Sequence, residues 1–130
     1  MSAATILVID DDKLIRWSLS TVLGRAGYRV HEAATGKDGL AAVRDQRPDV
    51  VLLDIRLPDM DGITVLEQIR RRHPELPVLT MTAHGTSETA HVAVGLGARG
   101  HLEKPCDPAL LLAAVSRVLE STTPPNRSSP

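Results

Sequence analysis

The sequence is poor in cysteine, in net charge and in long apolar runs. A single cysteine, Cys106, excludes an internal disulfide framework and a zinc site built from several cysteines. With 15 Lys and Arg against 16 Asp and Glu, the net charge of -1 gives no electrostatic reason to expect direct binding to nucleic acid or to an anionic membrane. No run approaches the ~18 apolar residues of a membrane span, and no basic region precedes the first apolar stretch. We therefore expect a cytoplasmic protein.

Length and composition predict one domain followed by a tail. The chain has 130 residues, of which 42% are hydrophobic, enough for one core. Apolar periodicity stops at Ser121, where the sequence continues as STTPPNRSSP. We predict a single domain over residues 1–120 and a Pro/Ser-rich linker or frayed tail over 121–130. Such a tail fits a continuation into an output domain, and it also fits a free terminus.

Short β-branched runs alternate with longer segments of helical period, which is the pattern of repeated βαβ units. Several strands are apolar without alternation, as expected where helices cover both faces of a sheet. The pattern predicts a doubly wound α/β fold with a parallel five-stranded sheet. The predicted strands are Thr5–Asp10, Arg29–Ala33, Val50–Asp54, Val78–Thr82 and Gly100–Glu103. The predicted helices are Lys13–Ala26, Gly36–Gln46, Gly62–Arg72, Ser87–Gly97 and Pro108–Glu120.

The ends of these helices carry recognisable signals. Thr35 with Asp38, Asp61 and Asp107 stand where side chains cap the first turn. The three arginines Arg70–Arg72 close the third helix, where cations complement the carbonyl end and are expected to face solvent.

Polar side chains stand where the predicted strands end. The carboxyl ends of parallel strands meet at one edge of the sheet, where the strand order reverses and ligands bind. Three carboxylates, a hydroxyl and an ammonium are therefore expected to share one cleft. These residues are Asp10, Asp11, Asp54, Thr82 and Lys104.

The acidic part of this set indicates a site for a divalent cation. If the third strand lies beside the first, Asp54 approaches Asp10 and Asp11, and three anions repel one another unless a hard cation binds. Magnesium fits best, since it prefers oxygen ligands and bridges carboxylates to phosphate oxygens. The alternative for residues 10–12 is a solvated turn whose carboxylates cap the first helix.

The other two side chains favour phosphoryl chemistry at Asp54. A phosphoryl group there would carry more negative charge than one cation neutralises; Lys104 supplies a positive charge and Thr82 a hydrogen bond. Taken separately, Thr82 could be an ordinary strand residue and Lys104 an ordinary edge charge.

With these residues in place, the chain resembles the receiver domains of bacterial two-component response regulators. The resemblance covers about Thr5 to Glu120 and rests on the motifs ILVIDDD, LLDIRLPDMDG, VLTMTA and EKP in the family's order. The segments DDDKLIRWSL, RRHPELPV and MTAHG resemble the receivers of nitrogen-regulatory (NtrC-type) enhancer-binding transcriptional activators in particular. The resemblance implies a flavodoxin-like three-layer sandwich with strand order 2-1-3-4-5.

The resemblance also implies a role for each site residue. Asp54 would be the phosphoacceptor, Thr82 the switch hydroxyl and Lys104 the phosphate-binding cation. Asp10, Asp11, Asp54 and the backbone carbonyl of Arg56 would bind Mg²⁺, for which Mn²⁺ could substitute. The peptide bond before Pro105 would be cis.

Partners and output follow from the same resemblance. A sensor histidine kinase would donate the phosphoryl group, and the domain would control its own or a separate output domain, with phosphorylation-dependent homodimerisation common in the family. It would be a signalling phosphoacceptor with at most slow self-dephosphorylation rather than an enzyme.

Three positions depart from or add to the family pattern. Position 101, usually an aromatic switch residue, is His101, whose imidazole is smaller than Tyr and can ionise. Cys106 stands where Phe is frequent. Trp17 lies opposite the apolar stripe of the first helix, which makes it either a docking residue for a partner or a flat surface aromatic.

Two other functions are compatible with parts of the pattern. Aspartyl-phosphate phosphatases of the haloacid dehalogenase type also use a strand-end Asp, but they need a second acid two positions later, where this chain has Arg56. A receiver-like interaction module that never accepts phosphate is the second alternative.

Overall fold

A computed structural model describes residues 3–82 and 87–121 of the chain. Five strands alternate with five helices along it. The strands are β1 Thr5–Ile9, β2 Arg29–Ala33, β3 Val50–Asp54, β4 Val78–Thr82 and β5 Gly100–Glu103. The helices are α1 Lys13–Arg25, α2 Gly36–Gln46, α3 Gly62–Arg72, α4 Ser87–Gly95 and α5 Pro108–Ser121. Most of the predicted tail lies outside the described residues.

All strand pairs are parallel, and the order across the sheet is β2-β1-β3-β4-β5. This confirms the predicted doubly wound, flavodoxin-like fold. The register places Ile9 beside Leu53 and Thr80 beside His101. The strand order reverses between β1 and β3, so the residues that follow these two strands face a common crevice.

Four predicted element ends differ by one or two residues. β1 ends at Ile9, and α1 ends at Arg25 with Ala26 as its C-cap. α4 ends at Gly95 rather than Gly97, because Gly97 has φ +101°, a left-handed conformation that stops a helix. α5 extends one residue further, to Ser121.

Apolar side chains on the two faces of the sheet form two buried layers. α2, α3 and α4 cover one face, and α1 and α5 cover the other. Fully burying a Leu or Ile side chain contributes roughly 1.5–3 kcal/mol, so the two layers fix the sheet and with it the strand ends that carry the polar groups. The first layer includes Leu7, Ile9, Val51, Leu53, Val65 and Ile69. The second includes Ile6, Val8, Leu52, Leu23, Met81 and Leu111.

The predicted helix caps are present. Thr35 Oγ1 accepts from Asp38 N at 3.0 Å, and Asp61 Oδ1 accepts from Ile63 N at 3.0 Å. At α5, Asp107 Oδ1 accepts from the backbone N–H of Ala109 at 3.1 Å. Within the described residues, the structure has no helix both long and apolar enough to cross a membrane.

Contrary to the prediction, Arg70 is only half-exposed, whereas Arg71 and Arg72 face solvent. Its guanidinium donates to the carbonyls of Pro74 at 2.6 Å and Leu76 at 2.8 Å, and also to that of Gly97 at 3.1 Å. Carbonyls in loops need partners outside regular secondary structure. Arg70 therefore ties the loop after α3 to the turn after α4.

Candidate functional site

The carboxyl ends of β1 and β3 bring three acidic side chains together. Asp10 and Asp11 directly follow β1, and Asp54 is the last residue of β3. One carboxylate oxygen from each lies within 4.8 Å of the other two. Asp10 is 0% exposed and Asp54 is 4% exposed, whereas Asp11 is in contact with solvent.

The turn after β1 combines a structural role with this cluster. Asp12 caps α1, since its Oδ1 accepts from Leu14 N at 2.9 Å and from Ile15 N at 3.2 Å. Asp10 Oδ1 accepts from Asp12 N at 2.9 Å. The alternative of a turn whose carboxylates cap the first helix therefore accounts for Asp12 and for Oδ1 of Asp10. The other oxygen of Asp10, Oδ2, contacts Lys104 instead.

Lys104 lies between two of the carboxylates. Its Nζ is 2.5 Å from Asp10 Oδ2 and 3.1 Å from Asp54 Oδ2. Burial lowers the pKa of Lys104, but the hydrogen bond and charge of Asp10 and the charge of Asp54 outweigh burial, so the pKa is raised. The ammonium is therefore charged at neutral pH. The peptide bond between Lys104 and Pro105 is cis.

The pKa of Asp54 is subject to opposing influences. Burial raises the pKa of Asp54, the backbone N–H of Arg56 lowers it, the Asp10 carboxylate raises it and Lys104 lowers it, with an upward balance. Its Oδ1 accepts from Arg56 N at 3.1 Å, while Oδ2 faces Lys104. The carboxyl is thus oriented by one contact on each oxygen.

The loop from Ile55 to Asp61 is closed against the end of β3. Arg56 and Asp61 form an isolated antiparallel bridge, and Gly62 N donates to Ile55 O at 2.7 Å. A Cβ on Gly62 would lie 2.5 Å from both Asp54 O and Ile55 Cα, so only glycine permits this approach. The loop therefore holds the Arg56 backbone next to the acidic cluster.

Asp59 anchors the same loop to another helix, a contact that sequence reasoning missed. Its carboxylate accepts from Gly36 N at 2.7 Å and Lys37 N at 2.9 Å, and these two N–H groups begin α2. The same bonds hold the pKa of Asp59 below its usual range. No local pattern indicates this contact, because the partners are 23 and 22 residues away.

Thr82 ends β4 and is buried. Its carbonyl accepts from Lys104 N at 2.9 Å, and the preceding carbonyl, of Met81, accepts from Ile55 N at 2.9 Å. These bonds hold the end of β4 between the segments that carry Asp54 and Lys104. The structure thus brings together the strand ends predicted from the sequence.

His101 lies apart from the acids, on β5. Its Nδ1 is 2.7 Å from the hydroxyl of Thr80, which is fully buried on the neighbouring strand. Burial lowers the pKa of His101, and the charge of Glu103 opposes this effect. Thr80 is a second residue that sequence reasoning missed; a polar side chain in the apolar run VLTMT was the available signal.

α1 presents large apolar side chains to solvent near the acidic edge. Trp17 is 64% exposed and Leu14 is 70% exposed. Beside α1, a cavity of about 300 Å³ is lined by apolar side chains together with Lys104 and Cys106. Trp17 itself is not part of the acidic cluster.

The donor set fits a hard divalent cation. Three carboxylates from two strand ends would supply only oxygen ligands, which hard cations prefer. A bound cation would also reduce the repulsion between Asp10 and Asp54, which raises the pKa of Asp54. The adjacent ammonium of Lys104 adds a second positive charge. This arrangement can bind a metal ion and can stabilise further negative charge on Asp54.

Comparison with known proteins assigns the fold and site to a family. The family model of the response regulator receiver domain matches residues 6–116. The chain belongs to this family. Receiver domains are signalling phosphoacceptors of two-component systems rather than classical enzymes.

Relatives of this receiver domain include DNA-binding transcriptional regulators. It is 42% identical over 130 residues to the DNA-binding transcriptional regulator NtrC of Salmonella typhimurium, covering 97% of this chain and 28% of that protein. The chain thus spans less than a third of that relative.

Solved structures show the same likeness. A CheY-like receiver domain protein from Methanospirillum hungatei superposes with a TM-score of 0.89 at 32% identity, covering 93% of this chain and 97% of that one. The receiver domain of NtrX from Brucella abortus has a TM-score of 0.86 at 38% identity, covering 89% and 98%.

Proposed function

We propose that Asp54 accepts a phosphoryl group from the phosphohistidine of a sensor histidine kinase. A carboxylate oxygen of Asp54 would attack phosphorus in line, the P–N bond would break, and the imidazole would keep the electron pair and take up a proton. The observation that carries the proposal is the position of Asp54, oriented by Arg56 N and contacted by the Lys104 ammonium. Positioning and charge neutralisation supply most of the catalysis in phosphoryl transfer.

Magnesium would be held by the carboxylates of Asp10, Asp11 and Asp54 with the backbone carbonyl of Arg56, and Mn²⁺ could substitute. When bound, the ion would supply positive charge to the phosphoryl oxygens. Lys104 would contact these oxygens, and the Thr82 hydroxyl would donate to them. The same residues would permit at most slow self-dephosphorylation.

The proposed output is a change of packing that controls an output domain or partner, with transcription as the regulated process. The nitrogen-regulatory relatives support this, since NtrC is a DNA-binding transcriptional regulator of which this chain matches 28%. The receiver itself would contact neither nucleic acid nor membrane, would act in the cytoplasm and could dimerise on phosphorylation. Residues 121–130 would link it to the output domain.

Phosphorylation by a small donor tests the central proposal. The domain is incubated with Mg²⁺ and acetyl phosphate, and its intact mass is measured. We expect one added phosphoryl group in the wild type and in Asp45→Asn, a control that removes an exposed carboxylate, and none in Asp54→Asn. No adduct on the wild type would instead favour a passive interaction module.

The metal site is tested separately by calorimetric titration with Mg²⁺. Asp11→Asn removes a member of the acidic cluster, whereas Asp12→Asn alters the neighbouring helix cap. We expect Asp11→Asn to weaken Mg²⁺ binding much more than Asp12→Asn. Equal affinities in the two variants would contradict the proposed ligand set.

A further inference from the structure

The strands β4 and β5 place two polar side chains opposite each other inside an otherwise apolar layer. Thr80 and His101 are register partners, and Thr80 Oγ1 lies 2.7 Å from His101 Nδ1. Thr80 is 0% exposed and stands two residues before Thr82, so both threonines point to the same face of β4. The proposed phosphorylation does not use Thr80 directly.

The hydrogen bonds around Thr80 favour one neutral form of the ring, although either form leaves Nε2 without a partner among the described residues. The Thr80 hydroxyl lies 3.4 Å from the carbonyl of Gly100, to which it can donate. If His101 Nδ1 carries the proton, it donates to Thr80 Oγ1 and the hydroxyl continues the chain to Gly100. If Nε2 carried the proton instead, a buried N–H would lack an acceptor, since within residues 3–82 and 87–121 Nε2 is buried without a hydrogen-bond partner.

The doubly protonated ring fits this place poorly for the same reason. An imidazolium must carry a proton on Nε2 as well as on Nδ1. That proton would stand in a buried position with no acceptor among the described residues. The inward position of His101 is therefore more favourable for the neutral ring than for the charged ring.

Charged groups around the ring do not remove this preference. On β5, Glu103 favours the charged ring, but burial outweighs it and the pKa of His101 is lowered. Arg99, which precedes β5, and Arg117 of α5 line a cavity together with His101, but the charge that acts on the pKa of His101 is that of Glu103. β4 contributes only the neutral Thr80 and Thr82, and the titratable side chain described on α4, His91, is exposed.

We propose that Thr80 is a positioning residue that holds His101 inward as the neutral Nδ1–H tautomer, and that this makes the conformational switch of the domain sensitive to protons. Acid would turn the charged ring outward toward water and away from the space beside Thr82. The tautomer and its titration need no phosphorylation. The link to switching rests on the proposed function, in which Thr82 moves toward a phosphoryl group and residue 101 fills the space it leaves.

The first experiment follows the His101 ring by nitrogen NMR across a pH titration of the unphosphorylated chain. The expected wild-type result is the Nδ1–H tautomer and a midpoint below 6.5, the ordinary histidine value. Thr80→Ser keeps the hydroxyl and should preserve both signatures. Thr80→Val removes it, so the ring should turn to water, populate both tautomers and titrate closer to 6.5. Backbone amide spectra verify that both variants are folded.

Two results of this titration would contradict the proposed role of Thr80. An Nε2–H tautomer in the wild type, or identical titrations of Thr80→Ser and Thr80→Val in the folded state, would overturn the positioning role. His101→Gln assigns the ring signals, so that the other histidines are not mistaken for it.

The second experiment measures beryllofluoride binding in Mg²⁺, at pH values above and below 6.5, for the wild type and His101→Tyr. Beryllofluoride stands in for a phosphoryl group. Acid should weaken binding more in the wild type than in His101→Tyr, because titration at the acidic cluster is common to both.

Binding with identical pH dependence in both proteins would refute the proton-sensitive switch alone. Failure of the wild type to bind at any pH would count against the phosphoacceptor function, and the NMR result would still decide the role of Thr80.

Discussion

Lys104 contacts Asp54 and Asp10 at the same time, with its Nζ 3.1 Å from Asp54 Oδ2. Both of these carboxylates are buried, so the Lys104 ammonium brings a positive charge into direct contact with two buried negative charges. The raised pKa of Lys104 keeps this charge through neutral pH, and deprotonation of Lys104 would remove the stability from the pairing only in strongly alkaline solution, above the ordinary value of 10.5. Lys104 therefore stabilises the site before any ligand binds.

Lys104→Met should destabilise the Mg²⁺-free domain at neutral pH by about 3 kcal/mol, since it leaves two buried carboxylates without a counter-charge. The pKa of Asp54, already raised by burial, should rise further. A group with a raised folded-state pKa binds its proton more tightly in the folded protein, so the loss should shrink as the pH falls toward that pKa. Urea unfolding at several pH values measures both effects.

Lys13→Met, at an exposed position, is the control and should change stability by less than about 0.5 kcal/mol. A loss that is independent of pH would contradict the electrostatic explanation.

Gly62→Ala should disturb the site through the backbone. The new Cβ would meet Asp54 O and Ile55 Cα at 2.5 Å, and main-chain atoms cannot move away cheaply. We expect a loss of roughly 1–3 kcal/mol in unfolding free energy, the usual range for overpacking, together with weaker Mg²⁺ binding. Denaturant unfolding and metal titration provide the two measurements.

The control for Gly62→Ala is Gly24→Ala in α1. A Cβ on Gly24 would meet no atom within 4 Å in the described structure, and Ala favours a helix over Gly by about 0.5–1 kcal/mol. Gly24→Ala should therefore stabilise the domain. If both substitutions stabilised it, the close approach of Gly62 to Ile55 would be wrong.

Trp17→Ala should affect transfer from a kinase rather than folding. The side chain is 64% exposed, so stability should change little, while an exposed aromatic beside the acidic edge is suited to docking a partner. With a histidine kinase that phosphorylates the wild type, transfer to Trp17→Ala should slow more than phosphorylation by acetyl phosphate does. Equal losses with both donors would remove the docking role and leave Trp17 as a surface aromatic.

Cys106→Leu should fill part of the cavity beside α1. Cys106 lines it with Ile15, Leu19 and Met81, so added methyl groups would contact apolar neighbours. We expect an increase of about 1 kcal/mol in unfolding free energy, near the contribution of one or two buried CH₂ groups. Cys106→Ser, similar in size but polar, should give no increase. A loss in Cys106→Leu measured by denaturant unfolding would show that the cavity cannot accept the larger side chain.

The sequence indicated most of the secondary structure because the signals are local. Runs such as VVLL in β3 are apolar on both faces, and caps such as Asp61 act within their own first turn. The acidic cluster could also be predicted, since Asp10 directly follows one parallel strand and Asp54 ends another, and the carboxyl ends of parallel strands lie at one edge of the sheet. Element ends were less certain, as the left-handed Gly97 shows.

The sequence by itself determined the βαβ alternation and the polar residues at the strand ends, because hydrophobic period and strand direction are properties of short segments. Only the tertiary structure decided that Asp59 accepts a hydrogen bond from the first residue of α2, that Arg70 joins two distant turns and that Thr80 contacts His101. Each of these contacts joins residues more than 20 positions apart in the chain. Such hydrogen bonds depend on how the packed layers set helix against strand, and no local propensity encodes that distance.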